Sequence, residues 1–202
     1  MKIKKFADNE SWLSYRVGKV GGTRLGEIID KTGKGKLKKG FWELIAERVA
    51  TMPTGENVMD RGHRLEEEAI KRFEKETGKK VDSSLIVCIS DEDENVYYSP
   101  DGVIGKTESV EVKCLNSASH IEALITGKIP NEYEFQKLQP FIVNPKLNTL
   151  YFCFYDPRIP NKDFFFYPVK RKDLLEDIKT YKAEQLRIIK EVEKITLDIV
   201  GF

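Results

Sequence analysis

Ser99-Pro100-Asp101-Gly102, followed shortly by Val110-Glu111-Val112-Lys113-Cys114, is the stretch from which the rest of this chain can be read. Pro-Asp-Gly is a turn signal. Val110 to Cys114 alternates apolar and charged residues, as a β-strand with two unlike faces does. Glu111 and Lys113 then project from one face, and Val110, Val112 and Cys114 from the other. A short hairpin through Gly105-Lys106-Thr107 brings Asp101 beside Glu111. Two carboxylates and one ammonium then meet at the end of a two-stranded unit. Two hard oxygen ligands suit Mg²⁺ or Mn²⁺, which bind through one or two carboxylates plus water and substrate phosphate. A lysine two residues on can orient or deprotonate a water at such an ion. Taken singly, Pro-Asp-Gly is only a turn and Glu-Val-Lys only a solvated strand face. The combination carries the argument.

Working outward, 202 residues suffice for one domain with a real core, and 1–202 reads as a single domain. The chain is 40% hydrophobic and 33% charged, which suits a soluble globular protein. No apolar run reaches the length of a membrane span. Met1-Lys2-Ile3-Lys4-Lys5 lacks a signal peptide's apolar stretch, so a cytoplasmic location is expected. Cys88, Cys114 and Cys153 are odd in number and far apart. They read as buried thiols, with no Cys-x-x-Cys pair for zinc or an iron–sulfur cluster. Net charge is only +1, but its distribution is uneven. Residues 1–48 carry twelve Lys/Arg against six Asp/Glu, and residues 82–111 carry eight acids against Lys106 alone. A basic half beside an acidic patch fits a protein that holds a polyanion while concentrating metal ions near it; ordinary surface patchiness is the alternative.

Asn9 to Val17 reads as a short helix with Trp12, Leu13 and Arg16 close to one face. Gly18, Gly21 and Gly22 precede a helix expected to start near Thr23, a natural N-cap where backbone N–H groups favour phosphate. Lys31 to Gly40, with five lysines and three glycines, reads as an exposed loop that could touch DNA phosphates. Phe41 to Ala50 is an amphipathic helix with Trp42, Ile45, Ala46 and Val49 on its buried stripe.

Gly62 to Thr77 is a second informative helix. Glu66 shares a stripe with Ala69, Ile70 and Phe73, whereas Glu67 faces Lys71 and Glu68 faces Arg72 as surface pairs. An inward carboxylate is costly without a partner, and a metal site would supply one. Further on, the pattern predicts strands over Val81 to Ser90, Thr149 to Tyr155 and Asp163 to Val169. It predicts helices over Ser117 to Thr126 and from Pro130 through Gln136 and Gln139. Pro140 should end or kink the latter. Lys172 to Ile195 is a long amphipathic helix suited to packing on the sheet or on another subunit.

At this spacing Asp101, Glu111 and Lys113 match the signature of the PD-(D/E)XK nucleases. More of the chain agrees. Trp12-x3-Arg16-x-Gly18, Gly22-Thr23, Gly62-x3-Glu66, Gln136 and Tyr155-Asp156-Pro157-Arg158 occur in order over roughly residues 10–160. Together they resemble the lambda exonuclease, or YqaJ-type viral recombinase, family. The resemblance implies an α/β restriction-endonuclease-like core, a mixed central β-sheet flanked by helices. It implies Mg²⁺-dependent 5′-to-3′ digestion of one strand of duplex DNA, and often a ring-shaped homotrimer. By position, Asp101, Glu111, the Val112 carbonyl and Glu66 would hold metal. Lys113 and Gln136 would attend the attacking water, and Arg16, Thr23 and Ser99 would contact a 5′-terminal phosphate. The family's Gln-x-Gln is here Gln136-Lys137-Leu138-Gln139, so Gln139 is a rival for Gln136.

These readings lead to a DNA exonuclease of phage type, acting on double-stranded ends and feeding a single-strand annealing partner, with no membrane role. The alternatives are a sequence-specific or repair endonuclease on the same fold, and a non-catalytic DNA-end binder.

Overall fold

In the computed structural model the chain is described over residues 1–30, 38–49, 60–115, 117–159 and 161–201. The alternation in Val110 to Cys114 does form a strand, and the mixed sheet grows from it. β4 (Gly102–Ile104) and β5 (Glu108–Lys113) make the expected antiparallel hairpin, Gly102 opposite Val110. β6 (Thr149–Tyr155) lies parallel to β5, Glu111 beside Phe152 and Lys113 beside Phe154. β7 (Phe164–Lys170) closes the order β4-β5-β6-β7 antiparallel to β6. A second sheet, β1-β2-β3, is antiparallel throughout: β1 (Lys2–Lys5), β2 (Ile86–Ile89) and β3 (Tyr97–Tyr98). The chain steps from β3 into β4 across Ser99-Pro100-Asp101, so Asp101 falls between the two sheets.

Every residue of β6 is buried, because helices cover both of its faces. On one side Val110, Val112, Tyr151, Cys153 and Tyr155 pack against Ala69, Ile70 and Phe73 of α4 (Asp60–Thr77). On the other, Phe152 and Phe154 share a core with α5 (Ser117–Thr126) and α6 (Glu134–Val143). α1 (Asn9–Arg16) is capped by Asp8, whose carboxylate accepts from the Ser11 N–H at 2.7 Å. α2 (Gly22–Ile28) packs on α6 and on α3 (Lys39–Val49).

Several expectations are corrected. The N-terminal lysines form β1, a strand the sequence reading did not anticipate. Among the described residues its other edge is unpaired, and it carries exposed Lys side chains, which discourage further strand pairing. Val81 to Ser90 is strand only over Ile86–Ile89. Pro140 does not end its helix: α6 runs on to Val143, packed into the core along its last residues. Beyond α6, the Arg171 guanidinium donates to the carbonyls of Phe141 and Asn144 at its C-terminal end. α7 (Leu175–Val200) packs chiefly on α3 and α6. Cys88 and Cys153 are buried, but Cys114 is half-buried. In α3, Phe41 and Leu44 are fully buried. The stripe of Trp42, Ile45, Ala46 and Val49 falls on side chains outside the described residues, as does most of the Lys31 to Gly40 loop.

Candidate active site

A cavity of about 630 Å³ opens where the two sheets, α1, α2, α4 and α6 converge. Arg16, Thr23, Glu66, Ser99, Asp101, Glu111, Lys113 and Gln136 all line it. Residues spread over more than a hundred positions of sequence are thus brought to one wall.

The acidic end is built by the hairpin. β4 pairs β5 only as far as Val110, so beyond it that edge of β5 has no backbone partner in β4. Asp101 fills the gap: its Oδ2 accepts the Val112 N–H at 2.6 Å. Val112 therefore enters the site through its backbone, while its side chain is buried toward α4. Glu111 and Lys113, two apart on one strand face, form an ion pair, Oε1 to Nζ 2.6 Å. Burial and then the charge of Glu111 push the Asp101 carboxyl well above the ordinary carboxylate range, with Glu66 adding to the rise. Burial works to lower the Lys113 pKa, but Glu111 and Asp101 outweigh it and the net shift is upward. Beside these two carboxylates Lys113 is placed as a hydrogen-bond donor and a local positive charge. Its ammonium also lies 5.3 Å from the Tyr133 ring centroid.

Oxygen donors for a hard cation are present on Asp101, Glu111 and Glu66. Among the described residues, no three His, Cys, Asp or Glu side chains are gathered tightly enough to hold a metal as they stand. Glu66 is half-buried on the expected stripe with Ala69, Ile70 and Phe73. Its neighbour Glu68 departs from the surface pairing expected of it. Its Oε2 accepts from the Tyr155 hydroxyl at 2.9 Å, and Arg72 pairs instead with Asp163 at 2.8 Å.

Around Arg16 the cavity is basic and aromatic. The guanidinium carbon stands 4.3 Å over the Trp12 ring, and Nε donates to the Tyr97 hydroxyl at 3.1 Å. Among the described residues no carboxylate pairs with it. Trp12 Nε1 donates to Ser99 Oγ at 2.8 Å, and the Ser99 hydroxyl donates to the Ile86 carbonyl at 2.9 Å. The Ser99 proton is therefore already committed to backbone, so in this arrangement Ser99 braces Trp12. Contrary to expectation, the cap of α2 is not Thr23 but Gly21, with no side-chain cap bond. Gly22 lies so close to α6 that a Cβ there would stand 3.0 Å from the Gln136 Cα. That approach lets Gln136 Nε2 donate to Thr23 Oγ1 at 3.0 Å.

No match is found among curated proteins. Residues 11–143 match the YqaJ-like viral recombinase domain. The chain belongs to that family. Of solved structures, an alkaline exonuclease from Laribacter hongkongensis superposes with a TM-score of 0.78 at 28% identity, covering 95% of this chain and 98% of that one. The same enzyme in complex with dAMP gives 0.77 at 28% identity and the same coverage. A phage-related exonuclease from Haemophilus somnus 129PT gives 0.61 at 16% identity over 90% and 96% of the two chains, a likeness of fold alone. The fold is that of the PD-(D/E)XK nucleases, and the Asp101, Glu111 and Lys113 that match their signature sit on the hairpin just described.

The sequence reading missed Tyr97 as a wall of this cavity. The signal was present: Tyr97 and Ser99 are two apart in an extended stretch, and so face one way. The Asp156-Pro157-Arg158 turn proves to be a brace outside the cavity. Asp156 accepts from Ser117 Oγ at 2.6 Å and from Arg158 Nε at 2.7 Å, joining the start of α5 to the end of β6.

Proposed function

We propose that this protein is a Mg²⁺-dependent 5′-to-3′ exonuclease that digests one strand of linear double-stranded DNA and leaves 3′ single-stranded tails for recombination. One observation carries the reading. A single cavity holds the Asp101–Glu111–Lys113 group and an arginine, Arg16, whose charge no carboxylate among the described residues neutralises. The similar Laribacter protein is an alkaline exonuclease, which supports the same reaction class.

The donor chemistry fits a hard divalent cation. Asp101 is raised by burial and then by neighbouring negative charge, with Lys113 the cation set against it, an excess that Mg²⁺ or Mn²⁺ relieves. Asp101, Glu111 and Glu66 would hold it, with the Val112 carbonyl as a further ligand. When bound, such an ion supplies Lewis acidity and positive charge at the scissile phosphate. Lys113 sets its ammonium against the negative charge that develops on the phosphate oxygens. Gln136 has a side-chain oxygen that finds no partner among the described residues, and a small side-chain rotation would offer it to the attacking water. Arg16 binds the terminal phosphate through its planar fork of donors, with Thr23 beside it. Water adds to phosphorus and the bond from phosphorus to the 3′ oxygen of the departing nucleotide breaks. The phosphate stays on the 5′ carbon of the shortened strand, so each new end again carries a 5′-phosphate. Arg16 thereby meets the same group at every cycle.

Processive digestion of long duplexes further calls for enclosure of the DNA, since a net charge of +1 provides little general grip. A closed homotrimeric ring would supply it, and a single-strand annealing protein would take the tail. The test is digestion of end-labelled linear duplex beside closed circular plasmid, with Mg²⁺ and with EDTA. Release of 5′ label first, from linear DNA alone and only with metal, is expected. Cutting of the closed circle would mean an endonuclease, and binding without cutting an end-binder.

A further inference from the structure

We propose that Tyr97 is a second member of the phosphate anchor, orienting Arg16 and donating its own hydroxyl proton to the same phosphate. This rests on the reading of Arg16 as the end anchor.

The donors and acceptors can be assigned without ambiguity. Arg16 Nε can only donate, so across the 3.1 Å contact the Tyr97 oxygen is the acceptor. The phenol's own proton is then left over, and among the described residues no acceptor takes it. Ser99 is in the opposite condition, its proton given to the Ile86 carbonyl. Of the two residues that share this face of the strand, Tyr97 is the one with a donor to offer.

Tyr97 also fixes how Arg16 presents itself. One face of the guanidinium is covered by Trp12 and its Nε–H is consumed by the phenol. The terminal Nη groups remain for a ligand, and they form the edge that grips two oxygens at once. The ring itself is held. Its residue is 4% exposed, its N–H donates to the Val20 carbonyl at 3.1 Å, and its carbonyl accepts from Gln139 at 3.0 Å. Against it lies Gly21, where a Cβ would stand 3.0 Å from Tyr97 Cζ and 3.1 Å from its hydroxyl oxygen.

The chemistry of the ligand follows. A phosphate monoester offers three non-ester oxygens and an internal diester two. An arginine edge uses two. A neutral hydroxyl beside it is satisfied by a third, so Tyr97 favours the monoester, the group found at a DNA end and nowhere along the chain.

The rate of release of the first nucleotide from duplexes bearing 5′-phosphate or 5′-hydroxyl ends, measured at several duplex concentrations with wild type, Tyr97→Phe, Gly21→Ala and Arg16→Ala, tests this. Tyr97→Phe keeps the ring and removes only the hydroxyl. Its preference for the phosphorylated end should fall roughly five- to tenfold, carried in KM. Gly21→Ala, which presses a methyl on the ring, should move the preference the same way. A preference within twofold of wild type in Tyr97→Phe, or an equal loss on both substrates, overturns the inference. In that case the reading of Arg16 stands if Arg16→Ala still erases the preference. If wild type shows no preference, or Arg16→Ala weakens both ends alike, the end-anchor reading itself falls and this inference with it.

Discussion

Gln136 and Gln139 lie three residues apart on α6 but are held in opposite ways. Gln139 is wholly buried: it donates to the Val20 and Tyr97 carbonyls and accepts from Gln185. Both border the cavity, but Gln136 donates to Thr23 and its side-chain oxygen finds no partner among the described residues. On the function proposed above, Gln136 is the working glutamine and Gln139 a structural one. Gln139→Ala strands several buried polar groups and should cost about 2 kcal/mol or more, lowering Tm by roughly 4–8 °C. Gln136→Ala should leave Tm within about 1 °C and slow digestion instead. Thermal melts and rates on the same preparations check both, and the reverse pattern would exchange the two roles.

Glu111→Ala and Lys113→Ala should each lower cleavage by about 10²-fold or more while duplex binding persists, because the apolar face of β5 is untouched. Gel-shift and digestion assays on matched samples measure the two separately. Near-wild-type cleavage by either variant would remove the hairpin from the mechanism.

Glu66→Gln should demand more Mg²⁺ for half-maximal activity, with Glu67→Gln within about twofold of wild type, since Glu66 has the buried stripe and Glu67 stands exposed at the cavity's rim. Titration of activity against Mg²⁺ reads this directly; equal shifts in the two variants would refute the assignment of Glu66 as a ligand.

Asp156 predicts a pH effect on stability away from the cavity. Hydrogen bonds from Arg158, with Ser117 assisting, hold its carboxyl down at about 2, below the 3.8 of an unperturbed Asp. A folded-state pKa below the unfolded one adds stability that is complete above the unfolded value and is lost as pH falls toward the folded one. Wild type should therefore exceed Asp156→Asn by roughly 1–2 kcal/mol near neutrality. The gap should close between about pH 4 and pH 2. Urea unfolding across that range follows it; a gap independent of pH would show that the carboxylate's charge contributes nothing.

A ring predicts a solution mass. Light scattering should give a value several times 23.3 kDa, and a strict monomer at assay concentration would rule out enclosure as the source of processivity.

Local order made much of this protein legible from its residues in sequence. The period-two pattern of Val110 to Cys114 gave the strand and its two faces, and the hairpin turn put Asp101 beside Glu111, because strand and turn geometry act over a few residues. The helical period of Glu66, Ala69, Ile70 and Phe73 gave the buried stripe of α4 in the same way. What remained depended on distant segments. Pro140 reads as a helix breaker, yet core packing carries α6 past it. The lysines of β1 carry no strand signal of their own and form one because β2 offers a partner edge. Whether Ser99 or Tyr97 has a proton to give was decided by which backbone carbonyl and which guanidinium the fold brought within 3.1 Å. A hydrogen bond is short-ranged and directional, so a partner some eighty residues away in sequence exists only once α1 has packed beside β3.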